Sequence, residues 1–218
     1  MTEETTYHKP TFDNIPKEKR DKILSVALKE FASNGFESTN INTIAKNSGV
    51  SVGAMYKYFE SKSDLFLTTV NQGIQTLEST LNSIASDDDD VMLKLEKLIR
   101  AAVDYSKSQS DLIKLYLEIT TESNAELIHE IVRKTETVSA KVYIDTIKEG
   151  QKTGEIRKDI PPEIAAFLLD NIIMIIQFSY SCDYYGERYK IFAGNDILDR
   201  DEEAIQSFLK FVKAALRP

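Results

Sequence analysis

Apolar side chains recur every three or four residues along most of the chain, which is the spacing of one buried face of an α-helix. Prolines occur only near the two ends and at Pro161 and Pro162, and the eight glycines are scattered. No stretch alternates apolar and polar residues between turn dipeptides, as paired strands would. The pattern therefore predicts an all-α fold. The clearest apolar stripes are Ile23, Leu24, Ala27, Leu28 and Phe31; Leu127, Ile131, Val138 and Val142; and Ile205, Phe208, Leu209, Val212 and Leu216.

The predicted helices differ in length along the chain. Gly49 and Gly53 interrupt the pattern, so the helices between Gly35 and Lys62 must be short. Residues 61–64 form a near-match to a capping box, which opens a helix of roughly 20 residues that ends near Ser86. Four consecutive aspartates follow at 87–90. They lack the spacing of a calcium loop, and negative charge there favours the start of the next helix.

Residues 36–62 have the spacing of a helix-turn-helix, in which two short helices meet at a sharp turn. Thr39 or Asn40 is predicted to cap the first helix and Ser51 the second. Gly49 ends the first helix in the left-handed conformation that a tight turn requires. The residues predicted to face inward at this corner are Ile41, Ile44, Ala45, Val50, Met55 and Phe59.

The residues that point outward from the second helix suit an approach to DNA. Gly53 and Ala54 let the helix backbone approach the base edges, and Val52 or Ala54 can contact a thymine methyl. Residues 36–62 contain no arginine that could read guanine, so specificity is expected to depend on apolar contacts, DNA shape and water. The alternative is a small-residue corner in a helical bundle, with tyrosines that only pack. The groups predicted to contact phosphates or base edges are Tyr56, Lys57, Tyr58 and Lys62, with Thr39 and Asn42 from the first helix.

Six short motifs follow one another almost continuously over residues 20–66. They are Ile23-x-x-x-Ala27-Leu28, Phe31-Ala-x-x-Gly-Phe36, Thr39-x-x-x-x-Ile-Ala45, Gly49-Val-Ser51, Met55-Tyr-x-Tyr-Phe59 and Lys62-x-x-Leu65. Together they resemble the tetracycline-repressor (TetR/AcrR) family of bacterial transcription regulators. A weaker match follows at Gly150-x-x-x-Gly-Glu-Ile-Arg157 and Asp159-Ile-Pro-Pro-Glu-Ile-Ala165.

The resemblance implies a homodimer whose subunits each have a three-helix DNA-binding head and a larger helical body. The domains expected are a flexible N-terminal arm over 1–15, a helix-turn-helix domain over 16–62, and an effector-binding and dimerisation domain over 63–218. Val52 departs from the polar residue that is frequent in the family at its position. The positions that would line the DNA are Thr39, Asn42, Ser51, Val52, Gly53, Ala54, Tyr56, Lys57, Tyr58 and Lys62.

The resemblance also implies that helices over about 162–184 and 201–216 pair with their copies in the partner subunit. The sequence supports this independently, because the first of these helices has an apolar face broader than one buried side needs. A buried central helix in a monomer is the alternative. The residues of this broad face are Ala165, Ala166, Leu169, Ile172, Ile173 and Ile176.

Family members commonly bind a small effector inside the body, and a pocket of apolar and aromatic groups with a few hydroxyls suits a lipophilic ligand. The candidate residues are aromatic side chains within otherwise apolar helices. Taken singly, each of them is more often a core or surface residue than a ligand contact. They are Tyr105, Tyr116, Tyr143, Phe178 and Tyr180.

Composition narrows the classes of protein. The 218 residues are 42% hydrophobic and 28% charged, which is typical of a globular protein. The apolar runs are short, so no membrane span is expected, and the acidic, polar N-terminus does not read as a signal peptide. The single cysteine, Cys182, favours a reducing cytoplasm, and with two histidines it leaves no zinc cluster.

The net charge of −8 is unevenly distributed. Residues 71–218 carry 18 basic and 26 acidic side chains, whereas residues 17–62 carry eight basic and five acidic ones. A basic head on an acidic body suits focal contact with a polyanion. The alternative is a chance split of charge on a solvated surface, and charge alone favours that alternative. No catalytic triad, cofactor loop or metal cluster appears, so a regulator that is not an enzyme and has no cofactor is expected. The alternatives are an all-α enzyme and a helical interaction protein that has kept only the head.

Overall fold

The computed structural model describes residues 6–86, 88–121 and 125–218. Within these ranges the regular structure is helical and no strand occurs, so the predicted all-α fold is confirmed. A short 3-10 helix, Ile197–Asp199, precedes the last helix. The α-helices are α1 (Pro10–Asp13), α2 (Lys17–Ser38), α3 (Ile41–Ser48), α4 (Val52–Tyr58), α5 (Lys62–Ser86), α6 (Val91–Ser108), α7 (Ser110–Thr121), α8 (Ala125–Thr153), α9 (Pro162–Ser181), α10 (Asp183–Ala193) and α11 (Asp201–Leu216).

The chain divides into two compact units. The head unit contains Met1–Gln75 and Lys114–Ile131, and the body unit contains Thr76–Ile113 and Val132–Pro218. Helices α1 to α4 lie in the head unit, and α6, α9, α10 and α11 lie in the body unit. The functional boundary between residues 62 and 63 falls at the start of α5 and stays a prediction.

The core of the head unit is built on the predicted apolar stripe of α2. Its members Ile23, Ala27 and Phe31 are fully buried, because their spacing places them on one helical face. The Phe31 ring meets the Phe66 ring edge-on, with centroids 4.9 Å apart. Helical geometry in α2 breaks at Gly35, whose φ of 71° only glycine adopts at little cost. The apolar stripe lies before this break.

The predicted caps of the longer helices are confirmed. The Ser61 N–H donates to the Asp64 carboxylate at 3.0 Å, and the Asp64 N–H donates to the Ser61 hydroxyl at 3.1 Å. This reciprocal capping box opens α5, which is 25 residues long and ends at the predicted Ser86. Asp90 caps α6 by accepting from the Leu93 N–H at 2.8 Å. Asp87 lies outside the described residues.

The N-terminal segment differs from the flexible arm that its few apolar residues predict. Phe12 in α1 is only 2% exposed, and its ring lies 4.8 Å from the Phe59 ring and 5.7 Å from the Tyr58 ring. One large aromatic side chain supplies enough buried surface to dock the segment. The expectation of a loose arm is therefore wrong for residues 9–13.

We expect Phe12→Ala to lower the free energy of unfolding by about 3–5 kcal/mol, the usual cost of removing a buried phenylalanine ring. Urea unfolding followed by circular dichroism measures this. The matched control is Phe192→Ala, because Phe192 is 78% exposed and its removal is expected to cost less than about 0.5 kcal/mol. Equal stability of the two variants would show that α1 is not docked.

The body unit buries apolar residues from α6, α8, α9 and α11 in one core. Of the predicted stripe on α8, Val142 is buried in this core and Val138 packs against it. Ile131 is buried as well but belongs to the head unit, and the Leu127 side chain lies outside the described residues. The C-terminus is fixed to this core because the Arg157 N–H donates to the Leu216 carbonyl at 2.8 Å.

Two sequence predictions about the region of α9 need correction. Helix α9 ends at Ser181, and the segment after it forms the separate helix α10. In addition, α9 is long and apolar enough to cross a membrane by length and composition, because Asp170 and Asn171 separate its apolar runs without making it polar overall. A core helix of a soluble protein can have the same length and composition. In this chain, less than half of α9 is buried.

Candidate DNA-binding surface and effector cleft

Helices α3 and α4 form the predicted corner, and its local contacts explain the turn. The Asn40 side chain accepts from the Asn42 N–H at 2.8 Å, so Asn40 rather than Thr39 caps α3. Gly49 is left-handed, with φ of 76°, and this lets the Val50 N–H reach the Ala45 carbonyl at 3.0 Å. Ser51 caps α4 by accepting from the Ala54 N–H at 3.2 Å.

One face of α4 is open to solvent, as predicted. Ser51, Val52, Gly53, Tyr56 and Lys57 are exposed, and Ala54 is half-buried at the edge of this face. The opposite face places Met55 and Phe59 in the core. Asn42 on α3 is exposed as well. We call the six α4 positions together with Asn42 the reading surface. Its contact with DNA stays a prediction.

Two of the predicted DNA contacts are turned inward instead. Tyr58 is 8% exposed because Phe12 covers its ring, and its hydroxyl accepts from the Lys19 ammonium at 3.5 Å. Thr39 is 4% exposed, and its hydroxyl donates to the carbonyls of Gly35 at 2.7 Å and Glu30 at 3.1 Å. Both side chains are buried and help to position the corner, and their contact with DNA stays a prediction.

The Lys62 ammonium group is also bound within the head unit. Its Nζ donates to the carbonyl of Glu37 at 2.9 Å and lies 4.6 Å from the centroid of the Phe36 ring. A cation here offsets the partial negative charge at the end of α2. The ammonium groups and hydroxyls left exposed on the reading surface are those of Tyr56, Lys57 and Ser51.

The sequence prediction missed the residues that close the C-terminal end of α4. The Lys9 N–H donates to the Tyr58 carbonyl at 2.8 Å, and the Lys9 ammonium donates to the Tyr56 carbonyl at 3.1 Å. The Thr11 hydroxyl donates to the Lys57 carbonyl. These donors satisfy the carbonyls that a helix end leaves unpaired, so α1 holds α4 in place. The isolated Phe12 beside Pro10 is the sequence signal for this docking.

The body unit contains a narrow cleft that brings together two of the five predicted effector residues, Tyr105 of α6 and Tyr143 of α8. The space inside the cleft is about 30 Å³, which holds one or two water molecules. Burial raises the pKa of Tyr105 to about 12 and raises that of Tyr143 further, so both hydroxyls stay protonated. The other main lining residues are Leu77, Leu81, Leu98, Ile173 and Gln177.

The other three predicted effector residues lie elsewhere. Tyr116 belongs to the head unit. The Phe178 ring packs 5.2 Å from the ring of Tyr185 on α10. The Tyr180 ring lies 5.2 Å from the Lys107 ammonium, and burial together with the Asp201 charge raises its pKa. Aromatic residue type alone did not show which helical face each side chain occupies.

Residues 23–69 match the family model of the bacterial regulatory proteins of the tetR family. These residues therefore form the N-terminal domain of the TetR family. The chain is 29% identical over 160 residues to the fatty acid metabolism regulator protein of Bacillus subtilis, covering 68% of the chain and 78% of that protein. The relatives that it matches over most of its length are transcriptional regulators.

Solved structures share the fold of this chain. FadR from Bacillus subtilis in complex with stearoyl-CoA has a TM-score of 0.67 at 17% identity, covering 89% of this chain and 95% of that one. AibR in complex with isovaleryl coenzyme A and operator DNA has a TM-score of 0.61 at 16% identity, covering 74% of this chain and 85% of that one.

Proposed function

We propose that this protein is a homodimeric repressor of the TetR family that binds a two-fold symmetric operator and is released by a small lipophilic effector. The observation that carries the proposal is the reading surface, where the small residues Gly53 and Ala54 lie between exposed hydroxyl and ammonium donors. A helix of this kind fits the major groove because its backbone can come close to the base edges. Such a protein acts in the cytoplasm.

The broad apolar face that the sequence predicts on α9 is not the exposed one: Ala165, Ala166, Leu169, Ile173 and Ile176 are buried in the core of the single chain, and Ile172 packs against it. The dimer is supported instead by other apolar side chains that the single chain leaves uncovered. Ile164, Phe167 and Leu168 of α9 and Phe211 of α11 are each more than half exposed. Several large exposed apolar side chains of this kind are typical of an association surface. A second copy of the chain covers them by two-fold symmetry, and the same symmetry supplies two reading surfaces to two half-sites.

Release by an effector is supported by the cleft between Tyr105 and Tyr143. Its volume is too small for a ligand in this conformation, so an effector must open it. A ligand that binds only the open cleft shifts the population towards the conformation with the open cleft, and this conformation is the one that leaves the operator. Acyl-CoA thioesters are bound by the two structural neighbours, FadR and AibR.

A gel-shift assay with the DNA upstream of the gene tests the DNA-binding proposal. The dimer is expected to prefer this DNA to an unrelated duplex and to lose about a thousandfold or more in affinity between roughly 50 and 200 mM salt, because each phosphate contact releases counterions. Equal binding to both duplexes would support the interaction-protein alternative and contradict the proposal.

A further inference from the structure

Asp170 is an acidic residue in the middle of the apolar helix α9, beside the cleft. It is half-buried and lies one helical turn before Ile173, which lines the cleft, so both side chains lie on the same helical face. The charge of Asp170 also acts on Tyr143, which lines the cleft from α8. Asp170 is not itself a lining residue, but it lies one turn beyond the cleft on the side of α9 that carries Ile173, and its charge reaches Tyr143.

No ion pair joins this carboxylate to a lysine or arginine of the described residues, although it is half-buried. Glu149, Glu163 and Glu202 each pair with a lysine or arginine at 3.0 Å or less. The charged neighbour of Asp170 is instead Glu136, another acid. Burial and this like charge raise the pKa of Asp170 to about 6, so at neutral pH it is still largely ionised. A buried charge without a counter-ion is costly to keep.

The cleft has one polar group that is not satisfied within the described part of the chain. The Tyr105 hydroxyl oxygen is fully buried and has no hydrogen-bond partner there. Tyr143 lines the same cleft and is only 4% exposed. The remaining wall is mostly apolar and contains no lysine or arginine among its described residues. The cleft therefore offers aromatic faces and an unpaired hydroxyl, and the charge of Asp170 acts on it through Tyr143.

We propose that the effector is a lipophilic cation, an amine or quaternary ammonium compound, whose nitrogen lies beside Asp170 and the ring of Tyr143. Its apolar part occupies the opened cleft between α5 and α6. An aromatic face and a carboxylate are the groups that stabilise a desolvated ammonium ion. A coenzyme A thioester carries negatively charged phosphates, which Asp170 and Glu136 repel. The role of this site in releasing DNA rests on the proposed repressor function, whereas binding of the cation to the protein does not.

Calorimetry on the full-length protein tests the site with three probes that share a twelve-carbon chain: dodecyltrimethylammonium, dodecanol and dodecanoyl-CoA, each below micelle formation. The wild-type protein is expected to bind the cation about tenfold or more tightly than the alcohol, since a tenfold change needs only about 1.4 kcal/mol. Asp170→Asn is expected to lose about tenfold or more for the cation and less than about threefold for the alcohol.

Two controls separate binding from folding. Asp104→Asn removes an exposed acid of α6 that does not line the cleft, so the affinity for the cation should not change. The thermal midpoint of Asp170→Asn should stay the same or rise, because the variant loses an unpaired buried charge. A fall in the midpoint together with equal loss of all three probes would indicate a structural role for Asp170 and overturn the proposal.

Tighter binding of dodecanoyl-CoA than of the cation would also overturn it, as would unchanged affinity of Asp170→Asn for the cation. Gel shifts on the same proteins keep this outcome apart from the repressor proposal. Binding of the cation without any operator binding would contradict the repressor function alone. Operator release by dodecanoyl-CoA and not by the cation would contradict the cation site alone.

Discussion

Gly53→Glu is expected to reduce operator affinity by about a hundredfold or more while leaving the fold intact. Gly53 is exposed in the first turn of α4, and a Cβ atom added there meets nothing within 4 Å. A glutamate near a helix N-terminus interacts favourably with the helix dipole, so α4 is not weakened. The carboxylate would face the phosphates at closest approach, and like charges in an interface cost several kcal/mol.

Fluorescence anisotropy with the operator measures the loss, and circular dichroism checks the fold. Gly53→Gln is the matched control, because it has the same shape without the charge and should retain part of the affinity. If Gly53→Glu bound the operator within about threefold of the wild-type protein, α4 would not be the helix that enters the groove.

The second large effect is expected from the double variant Phe167→Glu, Phe211→Glu. Both side chains are exposed in the single chain, one on each of the two helices that carry the uncovered apolar side chains. Each glutamate would have to be buried without a partner in the dimer, which costs several kcal/mol. The variant should be a folded monomer by light scattering and should lose operator affinity by about a hundredfold or more, because one half-site alone is weakly bound.

Phe192→Glu is the matched control for this variant, since it adds the same charge at an exposed phenylalanine of α10. It should remain dimeric and keep its operator affinity. A double variant that stayed dimeric would contradict the assignment of α9 and α11 to the interface.

The corner of the head could be predicted from sequence because its determinants are local. Gly49 and Ser51 act on residues within four positions of themselves, and the outward direction of Val52 and Tyr56 follows from helical spacing. The burial of Tyr58 could not be predicted in this way. It depends on Phe12, which is 46 residues away in the sequence, and spacing within α4 gives no information about such a contact.

The effector residues show the same limit. Tyr105 and Tyr143 meet only because α6 and α8 pack in one unit, whereas Phe178 faces α10, a helix that the sequence did not predict. Asp170 was not singled out because one acid in an apolar helix has no spacing signal. Its significance depends on which neighbours the fold supplies, and Glu136 is 34 positions away.

The contacts of Lys9 and Thr11 with the last carbonyls of α4 fix the length of this helix. Helix α4 cannot grow by another turn at that end without displacing the beginning of its own chain. In the proposed function, divergence in the recognised sequence is therefore expected to come from side-chain exchange on the reading surface at constant length of α4.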